Sequence, residues 1–157
     1  MAATRSQSQD PHSPIEPHTP FRPGFGQGAP MPPSVPEGLR LELSRARILP
    51  GREEQLAEWM QMLHTRYAEC QATLPAERAA FEATFSLTEA DGSVWMYHLA
   101  LVGEDGSGLD TSNPVDAAHQ EWAMQVKERG WEELTPMFML APQHILQSLT
   151  EFGRTGQ

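Results

Sequence analysis

The sequence predicts an α+β fold, a ferredoxin-like βαββαβ unit with two helices on one face of a four-stranded antiparallel sheet. Three observations lead there. A central stretch holds two apolar strand-like runs joined by a turn signature, an apolar spacing of three and four flanks it on both sides, and strand-like runs open and close the region 38–141.

The first run is "LRLELSRARIL", Leu39 to Leu49, which alternates at Leu39, Leu41 and Leu43 as a strand with one buried face does; Pro50 and Gly51 end it. From about Arg52 to Leu74, apolar residues at Leu56, Trp59, Met60, Leu63, Tyr67, Cys70 and Leu74 have the spacing of one helix laid on a sheet. Cys70 lies on that stripe as a small buried hydrophobe. Phe81, Ala83, Phe85 and Leu87 then alternate strictly, Asp91 and Gly92 mark a two-residue turn, and a second apolar run extends from Val94 to Val102, which together predict a hairpin. The polar loop Gly103 to Ser112 leads to a clearly signed helix start. Asn113 is its cap, Pro114 its first residue and Asp116 its third, close to a capping box. This helix runs to about Arg129, and "TPMFMLA", Thr135 to Ala141, is the predicted last strand.

The third strand is apolar or aromatic on both sides: Trp95, Tyr97, Leu99 and Leu101 alternate with Val94, Met96, His98, Ala100 and Val102. The sheet face away from the helices therefore needs a cover, and the expected one is a second subunit, two sheets closing into an α/β barrel with an interior cavity. Outside the domain, residues 1–37 hold nine of the 14 prolines and few aliphatic residues, the composition of a disordered arm. Residues 142–157 carry Ile145, Leu146, Leu149 and Phe152, a short amphipathic segment for packing on the domain or on a partner.

Composition narrows the function. With 157 residues the chain is expected to form one domain, and a net charge of -10 speaks against nucleic acid and anionic membranes, which ask for a basic patch. A single cysteine excludes an intramolecular disulfide, and no Cys/His cluster suggests a metal site. No apolar run approaches a membrane span or a signal-peptide core, so a cytoplasmic protein is expected. P-loop, dinucleotide, GxSxG and HExxH patterns are missing as well.

The stretches "LSRARILPGREEQLAEWM" and "ADGSVWMYHLA", and above all "NPVDAAHQEW", resemble a bacterial family of uncharacterised proteins with the dimeric α/β-barrel fold, related in architecture to the antibiotic-biosynthesis monooxygenases. The resemblance covers residues 39 to 141. Its most specific element is the series Pro114, Asp116, His119 and Trp122. It implies the fold and a homodimer, and it brings no reaction with it.

Two accounts stay open for the residues that carry chemistry. On the second helix Asp116, His119 and Trp122 are three apart and share one side, with His119 at the border of a stripe formed by Val115, Ala118, Trp122 and Val126. Asp116 either orients the His119 imidazole, leaving its other nitrogen as a base, or merely caps the helix beside a structural histidine. The face of His98 depends on hairpin register: opposite Phe85 it is expected on the helix side, and opposite Thr84 in the open face. Glu82, Thr84 and Ser86 share one side of the second strand, and Arg45 and Arg47 alternate on the first. Facing a barrel cavity, these would bind and protonate a small anionic or phenolic ligand; facing solvent, they are surface residues.

The first expected function is a cofactor-independent tailoring enzyme of the oxygenase, cyclase or isomerase kind, acting on an aromatic or polyketide-like metabolite. His119 and Asp116 are its catalytic pair, and His98, Trp122, Tyr97, Trp95, Glu82 and Arg47 are its ligand-binding residues. No cofactor is expected, although haem ligation by a histidine is open in such barrels. The second is a non-catalytic ligand-binding or scaffold dimer.

Overall fold

The computed structural model describes residues 30–155. Along the chain run β1 (Leu39–Arg47), α1 (Glu53–Thr65), α2 (Tyr67–Glu77), β2 (Ala79–Thr88), β3 (Val94–Gly103), α3 (Pro114–Val126), β4 (Glu132–Leu134) and α4 (Gln143–Arg154). The strands form one antiparallel sheet in the order β2-β3-β1-β4, with the helical crossovers on one face. This is the ferredoxin-like α+β fold that the sequence predicts.

Four local features depart from the sequence reading. The expected single helix 52–74 is two helices, because the chain turns at Arg66, whose side chain grips Glu69 (2.6 and 3.0 Å) and donates to the Pro114 carbonyl (3.3 Å). The expected last strand 135–141 is displaced to Glu132–Leu134, which pairs with Leu43 to Arg45. Pro136 has no N–H to extend that ladder and restrains Thr135 before it. Beyond it Met137, Phe138 and Leu140 run exposed, and the Met139 N–H donates to Ser34 Oγ at 2.9 Å. The capping box also does not close. Asn113 caps α3 by accepting from the Val115 N–H, but Asp116 instead accepts from the Asp110 N–H.

The fourth concerns the hairpin. Its turn is one residue longer than Asp91-Gly92: the Glu89 N–H bonds the Ser93 carbonyl, Gly92 takes φ 83°, and Asp91 accepts from Ser93. That sets His98 opposite Thr84 on one side and Ser44 on the other. The face is then the reverse of the one expected for this register. Ser44, Ala46, Met96, His98 and Ala100 point toward the helices, and Ala46 and Met96 pack with Leu56, Trp59, Ala123 and Val126. The reason is steric. Small side chains on this parity let Trp59 and α3 approach the sheet, while the opposite parity carries Phe81, Phe85, Leu87, Trp95 and Tyr97.

The chain itself covers one end of that second face. Val35 from the segment before β1, Met139, and Leu149 and Phe152 from α4 pack over Leu39, Leu41 and Leu101. Gly153 lets α4 approach: a Cβ there would lie 2.6 Å from the Glu37 carbonyl. The amphipathic C-terminal segment thus packs on its own domain, and packing begins before residue 38. The rest of the expected arm, residues 1–29, lies outside the described residues. Phe81, Phe85, Leu87 and Leu134 stay 39–55 % exposed on the uncovered end. Among the described residues no helix is long and apolar enough to cross a membrane.

Candidate functional site

A cavity of about 510 Å³ lies between the helices and the sheet, walled by α1, α2, α3, β2 and β3. Its position follows from the bend at Arg66. The first part of the apolar stripe, Leu56 and Trp59, fills the core, whereas Met60, Leu63, Tyr67, Cys70 and Leu74 line open space. The loop after β3 contributes Gly108 and Leu109. That loop is pinned to the end of α2 by Ser107, whose N–H and hydroxyl both donate to the Ala76 carbonyl, and by Gly106, whose missing Cβ leaves room for the Glu77 carbonyl. Consecutive β2 residues 80–84 all line the cavity, so it reaches the free edge of the sheet.

Four of the residues singled out in the sequence meet in this space: Glu82, His98, Asp116 and His119. His119 is not at the border of the buried side of α3 but at its middle. Val115, Asp116, Ala123 and Val126 are the buried positions, with His119 between them and Trp122 toward the rim. Its ring meets Trp59 edge to face at 5.2 Å. Burial, with His98 nearby as a second cause, pushes the His119 imidazole down to about 3. Burial alone takes His98 to about 4. Both imidazoles are therefore neutral at physiological pH.

Glu82 is displaced the other way. Burial first, and then the carboxylates of Glu77 and Asp116, push it up to about 7. Its side chain nevertheless keeps 32 % of its surface accessible, because Glu82 lies on the edge strand β2 where the cavity opens at the free edge of the sheet. Glu82 Oε1 stands 3.9 Å from His98 Nε2. This is not an ion pair: below about 7 an acid faces the neutral ring, and above it a carboxylate does. Asp116 is also raised by burial, against which the Asp110 N–H works.

The other four residues lie elsewhere. Trp122 packs against the core cluster. Arg47, Trp95 and Tyr97 share the opposite sheet face, where Arg45 stacks on Trp95 at 4.3 Å and bonds Glu132 at 2.8 Å. The expected grouping of a glutamate with arginines is therefore not formed, because Glu82 and the two arginines project from opposite faces. Glu77 is the lining carboxylate that the sequence reading missed, and Ser44, buried beside His98 with no hydrogen-bond partner among the described residues, is another polar group it passed over. Neither has a spacing signal; the fold alone brings them near. No group of three or more His, Cys, Asp or Glu among the described residues is arranged to hold a metal ion.

Residues 39–147 match DUF6176, a family of unknown function. The chain belongs to this family. The match takes in all of the region on which the sequence resemblance rests and the start of α4, as far as residue 147. No curated protein matches the sequence. Among solved structures, a protein from Bacteriodes thetaiotaomicron VPI-5482, assigned provisionally as an antibiotic biosynthesis monooxygenase, is 17 % identical, with a TM-score of 0.37 over 68 % of this chain and 93 % of its own. A likeness at that level bears on neither ligand nor reaction.

Proposed function

We propose that this DUF6176 protein binds a small apolar or aromatic metabolite in the cavity between helices and sheet and moves a proton on it, as an isomerase or cyclase does. The convergence of Glu82, His98 and His119 on one space carries the reading. A volume near 510 Å³ suits a small ligand. Glu82, at about 7, is matched to neutral pH as both acceptor and donor, whereas His119, at about 3, is too weak a base for that role. The expected His119–Asp116 catalytic pair is accordingly reassigned. Glu82 takes a proton from carbon beside a carbonyl, a neutral imidazole donates to the enolate oxygen, and Glu82 returns the proton to another atom. No oxidant or cofactor enters this balance.

The reading is tested with 2-tetralone, an enolisable aryl ketone, in D₂O, by following loss of its α-proton NMR signals. Wild type should accelerate exchange over buffer, and Glu82→Gln should cut the acceleration by about 100-fold. No acceleration by wild type at saturating ketone would refute proton transfer and leave the non-catalytic binding reading.

The uncovered sheet face supports a homodimer, since Phe81, Phe85, Leu87 and Leu134 form an exposed apolar patch with Trp95 and Tyr97 on the same face. Phe85→Lys should convert a dimer to a monomer in light scattering; a wild-type monomer would remove the barrel from the reading. A cytoplasmic setting, with Cys70 kept reduced, completes it.

A further inference from the structure

We propose that the ligand of this cavity is an organic cation, a small amine on an apolar body, whose ammonium group sits between Glu82 and His98. The inference rests on the cavity reading above and names its substrate class: the ammonium takes one Glu82 oxygen and His98 Nε2, which leaves the other Glu82 oxygen for the carbon proton and the His119 imidazole as donor to the enolate oxygen.

Charge in the lining is of one sign. Glu77, Glu82 and Asp116 contribute carboxylates from α2, β2 and α3, and no arginine or lysine lines the cavity among the described residues. The basic groups that the fold brings near are committed elsewhere. Arg66 holds Glu69 and the Pro114 carbonyl, and Arg78 holds Asp105 and the Phe152 carbonyl. An anionic ligand would enter with no cation to meet it and three acids to repel it, in a chain whose net charge is already -10. That replaces the anionic ligand which the arginines of β1 suggested.

His98 adds an independent observation. It is only 9 % exposed, it lines the cavity, and it makes no hydrogen bond to any described residue. Its ring nitrogens are not among the fully buried polar atoms left without a partner, so they open onto the cavity, where a ligand's donor can reach them. Its Nε2 lies 3.9 Å from Glu82 Oε1, too far for a hydrogen bond between them. The gap suits one donor nitrogen placed beside both, each at about 2.8 Å, which is ordinary N–H···O and N–H···N reach. An ammonium has the donors for this, pairs the carboxylate and satisfies the neutral ring at once. Met60, Leu63, Leu74 and Val115 offer the apolar wall for the remainder of the molecule.

Three ligands of one shape separate the possibilities: 2-aminotetralin, 2-tetralol and tetralin-2-carboxylate, titrated into the full-length protein at pH 7.5 by calorimetry. The amine should bind about tenfold or more tightly than the alcohol, and the carboxylate weakest. Glu82→Gln, checked for native circular dichroism, should bring the amine down to the level of the alcohol. The wild-type series decides the outcome even if that variant does not fold. An alcohol or carboxylate that binds as well as the amine overturns the cation while leaving the cavity reading intact. Absence of binding by all three overturns both. An amine preference that survives Glu82→Gln overturns Glu82 as the group that holds it.

Discussion

Replacing His119 by phenylalanine should flatten the acid side of the stability curve. The imidazole faces Trp59 from α3, and burial takes it from 6.5 in the unfolded chain to about 3. A folded value below the unfolded one means that the unfolded chain takes up the proton first, so stability is lost as pH falls below about 6.5 and continues to fall until the folded ring titrates. Each unmatched proton costs about 1.4 kcal/mol per pH unit, which makes the loss from His119 about 2 kcal/mol between pH 7 and pH 5. His98, taken to about 4, loses a similar amount, about 2 kcal/mol, over the same interval. Glu82 opposes them: raised from 4.5 to about 7, the folded carboxyl gains its proton before the unfolded one and adds stability as pH falls. Because 32 % of its side chain is accessible, its contribution is about half the full shift, about 1 kcal/mol. Wild type should therefore lose about 3 kcal/mol from pH 7 to pH 5 and His119→Phe about 1 kcal/mol, since phenylalanine keeps a ring against Trp59 and has no proton to bind. Urea unfolding followed by circular dichroism at both pH values measures the difference. Equal pH dependence in the two proteins would refute burial of a neutral His119, as would an NMR titration of the folded imidazole near 6.5.

Other changes have distinct signatures. Glu82→Gln removes the opposing group, so the loss between pH 7 and pH 5 should deepen to about 4 kcal/mol, the opposite direction from His119→Phe, in the same urea series. Gly106→Ala sets a Cβ against the Glu77 carbonyl and should cost about 2 kcal/mol by thermal unfolding, with faster amide exchange in the loop over the cavity; an unchanged melting temperature would show that the loop yields freely. Asn113→Ala deletes the 3.0 Å cap bond to Val115 and should cost about 1 kcal/mol, which Asn113→Ser should largely restore.

Periodicity and turn chemistry carried most of the fold. The alternation in β1 and β2, the three-and-four spacing of the first helical region and the Asn113-Pro114 start are local patterns that depend on only a few neighbours, and each marks an element where one forms. Asp116 and His119 at the start of the second helix, His98 on an otherwise apolar strand and Glu82 on the polar side of the second strand were also visible in the sequence. What the sequence left undetermined were quantities set by contacts distant along the chain. One extra residue in the turn after Glu89 decided the partner of His98, and only the sizes of Ala46, Ser44 and Ala100 on one parity decided that this face meets the helices. The bend at Arg66, stabilised in part through the Pro114 carbonyl, opened the cavity, and burial beside it lowered two imidazoles and raised one carboxyl. A sequence can show which side chains are able to hold a proton; how readily each does so depends on the water and charge that the folded chain leaves around it.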